Sequence, residues 1–299
     1  MKAFSNHCTR RQFGGATATL VAAAALPELS AAPQNDFAVP FAAAFPKFRI
    51  WDVHCHLGRP NITPAEHMTQ LLGYADRVGI EKVVIAMGLT PHLANPKPEE
   101  LRQRNEDMLA AVKAKPERAL GLVFVSPLHV KESLAEMDRL LPYPNVVGLK
   151  LWIACRCNDP RIDPIVKKAA EYRATIHQHV WDNAVGNKPG ESSPEDLVEL
   201  ARRHPSVHFV AMHSGGDWER GLRTLRKVRN ITAEIAGCEP TSGYVEMAVR
   251  ELGPDRVIYA SDASGRSFAS QLAKVHEARV SNQVKQKIFA GNFRRLAGM

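Results

Sequence analysis

The 299-residue sequence lacks most of the features that mark a specialised class of protein. It has only five cysteines and no pair of CxxC motifs, which excludes a disulfide-dense miniature scaffold and a structural zinc site of that type. It contains no run of five like charges, and its net charge of +8 is spread along the chain, which argues against a dedicated nucleic-acid binder. No G-x-G-x-x-G motif occurs, so the phosphate-binding turn of a dinucleotide fold is missing. With 45% hydrophobic residues, the chain has the composition of a globular protein with a sizeable core.

The amino-terminal segment has the pattern of an export signal. Two adjacent arginines, Arg10 and Arg11, precede an apolar, uncharged run over 14–26, and small residues follow at 30–32. This order is typical of a twin-arginine signal. The apolar run is about half of the roughly 20 residues that a membrane span needs, so we expect no permanent membrane anchor. We therefore predict a signal over 1–32, recognised by the twin-arginine export machinery, and a periplasmic or secreted protein.

The rest of the chain has the pattern of an α/β protein. Residues 33–47 have no clear helical or strand period and are interpreted as a linker or arm. Residues 48–299 have a length close to the roughly 250 residues typical of a (β/α)8 TIM barrel. Eight short β-type runs alternate with eight helical patterns, as a parallel sheet requires. An open doubly wound sheet would more naturally have six strands, so we predict one barrel over 48–299. The predicted strands are Arg49–His56, Lys82–Met87, Gly121–Ser126, Val146–Leu151, Thr175–Val180, His208–His213, Ile231–Ile235 and Arg256–Ser261.

The strongest chemical signal is the His-x-His motif at the end of the first predicted strand. His54 and His56 are two residues apart, so their side chains project from the same face of a strand, where two imidazoles can bind one metal ion. The motif alone is equally compatible with two hydrogen-bonded histidines. Polar side chains also end other predicted strands, at the edge where barrel enzymes carry their active sites. These residues are Lys150, His177, His179, His213 and Asp262.

Taken together, these motifs resemble those of the amidohydrolase superfamily, in particular the branch related to aminocarboxymuconate-semialdehyde decarboxylase. The similar segments are DVHCHLG, GLKLW, AMHSGG, VIYASDAS and the terminal GNFRRLAG, so the resemblance runs from Arg49 to Leu296. It implies that His54, His56 and Asp262 are metal ligands, and that a fourth ligand comes from the fifth strand. It also implies an acid/base role for His213, with Asp262 as a second catalytic group.

The fifth strand offers two histidines. His177 and His179 share a face, and the family's ligand usually lies at the carboxyl end of the strand, which favours His179. His177 would then lie one layer deeper, as an outer hydrogen-bonding partner of the site or as a buried polar residue.

Three imidazoles and one carboxylate suit one Zn²⁺ or a similar divalent ion, with a position left for water. The ion would lower the pKa of that water to roughly 7. Some relatives carry a carbamylated lysine that bridges two metals at the position of Lys150. An ordinary lysine that contacts an anionic substrate fits this branch better.

Other side chains on the strand-following loops are candidate contacts for a small-molecule substrate. Trp152 and Trp181 can form walls of a pocket, and Arg59 and Arg266 can bind a carboxylate, although packing and surface ion pairs explain them equally well. The thiols Cys155, Cys157 and Cys238 lie at the same rim, where either a disulfide or free thiols are compatible with the sequence.

Two reactions on this scaffold compete. The first is hydrolysis of an ester, lactone or amide by metal-activated water, which export favours because a secreted enzyme must work without costly cofactors. The alternative is non-oxidative decarboxylation, or hydration, of an unsaturated or aromatic acid. A more distant alternative is a non-catalytic periplasmic binding protein. The resemblance also implies a homodimer, although no pattern identifies an interface.

Overall fold

A computed structural model describes residues 47–57, 61–87, 94–238 and 241–299. The predicted signal over 1–32, nearly all of the predicted linker over 33–47, and Arg59 lie outside these residues. Within the described part of the chain, no helix has the length and apolarity that a membrane span needs.

Eight parallel strands pair in chain order from β1 to β8. The segment after β8 then meets β1, because Asp262 N–H donates to the carbonyl of His54 at 2.9 Å and Cys55 forms a parallel bridge with Ala263. The sheet is thus a barrel, and the predicted (β/α)8 fold is confirmed. The strands are β1 Trp51–His56, β2 Lys82–Met87, β3 Ala119–Val125, β4 Val146–Leu151, β5 Thr175–Trp181, β6 Phe209–Gly215, β7 Ile231–Glu234 and β8 Val257–Ile258.

Helices alternate with the strands, and several begin with side chains that satisfy the first backbone N–H groups. Before α1, Thr63 Oγ1 accepts from Glu66 N at 3.2 Å while the Glu66 carboxylate accepts from Thr63 N at 2.8 Å. The helices are α1 Pro64–Arg77, α2 Pro98–Ala114, α3 Val130–Leu140, α4 Asp163–Glu171, α5 Pro194–Arg203, α6 Trp218–Leu225, α7 Tyr244–Leu252, α8 Phe268–Glu277, α9 Asn282–Gln286 and α10 Asn292–Leu296.

The carboxyl-terminal part of the barrel differs from the prediction. The predicted eighth strand ran to Ser261, whereas β8 ends at Ile258, because Tyr259 N donates to the carbonyl of Ile288 and Ser261 N donates to the Asp52 carboxylate. The turn that contains Ile288, and helices α9 and α10, were not predicted. Their role is structural, since Phe293 of α10 packs edge-on against Trp51 with ring centroids 6.5 Å apart.

A bulge in β1 determines which of its side chains enter the barrel. Trp51 and Val53 belong to the apolar cluster inside the barrel, whereas Cys55 packs in the cluster between strands and helices. Strict alternation would put Val53 and Cys55 on one face, and the register shift between Asp52 and Cys55 breaks it. The expected outward position of Cys55 is confirmed.

Candidate metal centre

Two imidazoles from the end of β1, His54 and His56, lie beside the carboxylate of Asp262, which follows β8. His54 Nε2 lies 2.8 Å from His56 Nε2, and Asp262 Oδ1 lies 3.6 Å from His54 Nε2 and 3.2 Å from His56 Nε2. Metal–ligand bonds of about 2.1 Å put neighbouring ligand atoms roughly 3 to 3.4 Å apart. The three separations lie within a few tenths of an ångström of this range, so small shifts of the side chains would let these donors share a divalent ion.

His213 joins this group through an unusual backbone. Alternation along β6 would send His213 outward, because Met212 lies inside the barrel. Left-handed φ angles of 62° at His213 and 48° at Ser214 turn the chain, and His213 instead lies beside His54 with ring centroids 5.2 Å apart. Asp262 also has a left-handed φ of 61°. Such strained residues cluster at active sites.

Among the described residues, ligand atoms of His54, His213 and Asp262 all lie within 4.8 Å of one another. The His213 Nδ1 nitrogen is 3.2 Å from the carbonyl of Ala236. A carbonyl can only accept, so Nδ1 carries the proton and Nε2 presents its lone pair. His213 thus presents a nitrogen lone pair close to the metal-binding atoms of His54 and Asp262.

The two histidines of β5 lie at different depths in the barrel, as expected. His179 lies near the mouth, with its ring centroid 5.2 Å from that of His213, and its Nε2 is 3.1 Å from Glu191 Oε1. His177 lies deeper, 3.2 Å from Thr175 Oγ1 and edge-on to Phe293. Ligation by His179 stays a prediction, because its Nε2 is paired with a carboxylate here.

A cavity of about 630 Å³ opens above the candidate centre. His56, His179, His213 and Asp262 form its polar floor, and the predicted pocket residues that line it are Trp152, Trp181 and Arg266. Trp181 stacks parallel to His179 with ring centroids 6.1 Å apart. The Trp152 ring is tilted by 58° to that of His179, with centroids 4.2 Å apart. Arg266 Nε is 3.3 Å from Asp262 Oδ2.

Lys150 and His54 lie beneath this cavity and are both buried. The Lys150 ammonium contacts Met212 Sδ and lies 5.6 Å from the centroid of the Trp152 ring. Lys150 therefore lies under the floor of the cavity. A substrate could contact it only by reaching between the histidines that form this floor.

The family model for amidohydrolases matches residues 51–298. The chain belongs to the amidohydrolase family. Among curated proteins, none matches this sequence.

Solved structures with the same fold include several decarboxylases. 5-Carboxyvanillate decarboxylase from Sphingomonas paucimobilis is 16% identical, with a TM-score of 0.67 over 84% of this chain and 99% of that one. 2,6-Dihydroxybenzoate decarboxylase from Rhizobium is 13% identical, with a TM-score of 0.68 over 84% and 99%. The 5-carboxyvanillate decarboxylase of Novosphingobium aromaticivorans, complexed with manganese and 4-hydroxy-3-methoxy-5-nitrobenzoic acid, is 15% identical, with a TM-score of 0.66 over 84% and 96%.

Burial sets the protonation states of this amidohydrolase's centre. Burial lowers the pKa of His213 to about 3, and His179 adds to the effect by charge repulsion. Burial likewise lowers the pKa of His54 well below its usual value, helped by the positive charge of Lys150. For Asp262 burial would raise the pKa, but the hydrogen bond from His56 and nearby positive charges outweigh it and leave the pKa well below normal. Neutral imidazoles and an ionised carboxylate are the forms that bind a metal ion.

Two buried carboxylates of the amidohydrolase site were not predicted. Glu234 on β7 has its Oε2 2.9 Å from His54 Nδ1, and Glu191 on the loop after β5 contacts His179. Neither belongs to a motif. The only signal in the sequence is that Glu234 ends an apolar strand and Glu191 follows a glycine.

No disulfide joins any of the four cysteines within the described residues, so Cys155, Cys157 and Cys238 are thiols.

Proposed function

We propose that this amidohydrolase is a non-oxidative decarboxylase that removes CO₂ from a small aromatic carboxylic acid with one divalent ion. The observation that carries the proposal is the pair of indole rings, Trp152 and Trp181, that flank His179 directly above the candidate centre. Both indoles line the cavity of about 630 Å³, so an aromatic ring can pack against them there, and its carboxylate would then face the donors on the floor.

The reaction needs few groups. Cleavage of the bond between the ring and the carboxylate leaves an electron pair on the ring carbon, and a proton must replace the departing CO₂. A divalent ion bound by His54, His56, His179 and Asp262 would supply the positive charge that orients the acid and withdraws electrons from it. His213 lies on the floor and presents the lone pair of Nε2, so it can take up a proton from water or from a substrate hydroxyl and pass it to the ring carbon. Arg266, at the rim, can pair with a second anionic group of the substrate.

The three decarboxylases with this fold support the reaction better than they support hydrolysis. Hydrolysis of an ester, lactone or amide, which the expected export favoured, uses the same donors and remains the second candidate. The manganese in the Novosphingobium structure likewise makes Mn²⁺ the first ion to test, ahead of the expected Zn²⁺.

The test is a substrate screen on the chain reconstituted with Mn²⁺. We expect ultraviolet spectra to show loss of a hydroxylated benzoate such as 2,6-dihydroxybenzoate or 5-carboxyvanillate, with one equivalent of CO₂ released. His213→Asn should abolish turnover while the ion stays bound. Turnover of aryl esters or lactones with no decarboxylation would replace this proposal with hydrolysis.

A further inference from the structure

We infer that Glu234 is a positioning residue of the metal centre: it fixes the His54 ring so that Nε2 faces the ion. This inference rests on the proposed metal centre, and it assigns a role to a residue outside every motif. Glu234 lies on β7, inside the barrel, and is completely buried.

Each carboxylate oxygen of Glu234 has a hydrogen-bonding partner. Oε1 accepts a hydrogen bond from the backbone N–H of Ala236 at 2.6 Å, and Oε2 lies 2.9 Å from His54 Nδ1. The turn after β7 thus holds the carboxylate in place, and the carboxylate holds the ring.

The contact determines which nitrogen of His54 can serve as a ligand. A neutral imidazole binds a metal ion through the lone pair of one nitrogen, so its other nitrogen must carry the proton. With Nδ1–H donated to Glu234, the lone pair is on Nε2, which is the nitrogen beside His56 and Asp262. An outer carboxylate of this kind also makes the ligand more basic.

A buried carboxylate needs a compensating charge, and Lys150 provides one. The Lys150 ammonium is also fully buried, and its attraction opposes the rise in the Glu234 pKa that burial causes. This attraction gives a role to a lysine that lies under the floor of the site and does not line the cavity.

Glutamine cannot replace Glu234 without conflict. The two positions that Glu234 fills both require an acceptor, but an amide offers one oxygen and one NH₂ group. If the oxygen stays on Ala236, the NH₂ group faces His54 Nδ1 and favours the tautomer with the proton on Nε2. That tautomer has no lone pair toward the ion.

The experiment measures Mn²⁺ affinity of the full chain by competition with a chelator, for the wild type, Glu234→Gln and Glu234→Asp. We expect roughly 10- to 100-fold weaker binding in both variants, because outer partners of ligating histidines have effects of this size. Glu219→Gln, at an exposed ion pair on α6, is the matched control and should bind Mn²⁺ like the wild type. Thermal unfolding of the metal-free proteins checks that each variant is folded.

A second readout separates positioning from general stability. In ¹⁵N-histidine spectra of the metal-free protein, His54 should carry its proton on Nδ1 in the wild type and shift toward Nε2 in Glu234→Gln. Unchanged Mn²⁺ affinity in folded variants overturns the inference alone. A wild type that binds no divalent ion overturns both the inference and the proposed function, whereas affinity that responds to Glu234 without decarboxylation supports the inference and overturns the proposed reaction.

Discussion

At the residue scale, the two histidines of β5 differ in what surrounds them. His179 faces the cavity between two tryptophans, whereas His177 lies below it, against Phe293 and Thr175. Both are buried and both point into the barrel, so burial alone does not separate a ligand from a packed polar residue.

The first prediction distinguishes these two histidines. His179→Asn should weaken Mn²⁺ binding by more than about 100-fold, because it removes a ligand rather than an outer partner. His177→Asn, the matched control, should keep one ion per chain and lose only stability. Metal content by mass spectrometry measures both, and loss of the ion in His177→Asn but not in His179→Asn would reverse the assignment.

The sequence allowed His54, His56, His213 and Asp262 to be predicted as neighbours, because all four end strands of one barrel. The contact of His179 with Glu191 could not be predicted, since it depends on a loop turn in which Gly190 has a φ of 76° and approaches the Ala154 carbonyl. Glu234 was missed for a different reason. An acidic residue in a buried strand is informative only when its partner, 180 positions away in sequence, is known.

At the element scale, helix α1 ends in a motif that depends on one glycine. Ile80 N donates to the carbonyl of Ala75 at 3.0 Å, and Gly79 adopts a left-handed φ of 75°. This is the Schellman arrangement, in which glycine avoids the steric cost of a side chain. Gly73, inside the same helix, has no such reason to be glycine.

The second prediction uses these two glycines as a matched pair. A Cβ at either position meets nothing within 4 Å, so backbone conformation alone decides the effect. Gly73→Ala should raise the free energy of unfolding by about 0.5–1 kcal/mol. Gly79→Ala should lower it by about 1–2 kcal/mol. Urea denaturation measures both, and equal effects would contradict the conformational explanation.

The strands were easier to predict than their departures from regular strand geometry. The eight apolar runs gave the order of β1 to β8, but the bulge in β1 has no local sequence signal. It is stabilised from a distance, since Asp52 Oδ1 accepts from the backbone N–H groups of both His54 and Ser261. Only the closed barrel brings Ser261 to that carboxylate.

At the scale of the whole molecule, several fully or partly buried histidines are in the neutral form. His208 is hydrogen bonded to Thr232 at 2.8 Å, and burial, with the positive charges of Arg295 and Arg256, lowers its pKa to about 4. Burial also lowers the pKa of His177 to about 3. In the unfolded chain these groups titrate near 6.5.

The third prediction is that the metal-free protein loses stability as the pH falls from about 6.5 to 4. Over this range the unfolded chain binds more protons than the folded one, so the free energy of unfolding decreases, and His208 alone accounts for up to about 3 kcal/mol. His208→Asn should reduce this loss. Denaturation midpoints measured from pH 7.5 to 4 test it, and a flat profile in the wild type would contradict it.

The fourth prediction concerns the segment over 1–32, which lies outside the described residues and whose export role stays a prediction. Expressed in a bacterium with a twin-arginine system, the chain should appear in the periplasm without roughly its first 32 residues. Replacing Arg10 and Arg11 together with lysine should retain it in the cytoplasm. Intact mass after cell fractionation decides, and full-length wild type found only in the cytoplasm would exclude export.

The closure of the barrel has a consequence for when the centre can exist. His54 belongs to the first strand and Asp262 follows the last, and the same backbone contact that closes the sheet joins them. An ion can bridge these residues only after the seven strands that follow β1 have been synthesised and paired. Loading of the proposed ion would therefore follow synthesis of the whole barrel, and the bound ion would link the first strand to the segment after the last one.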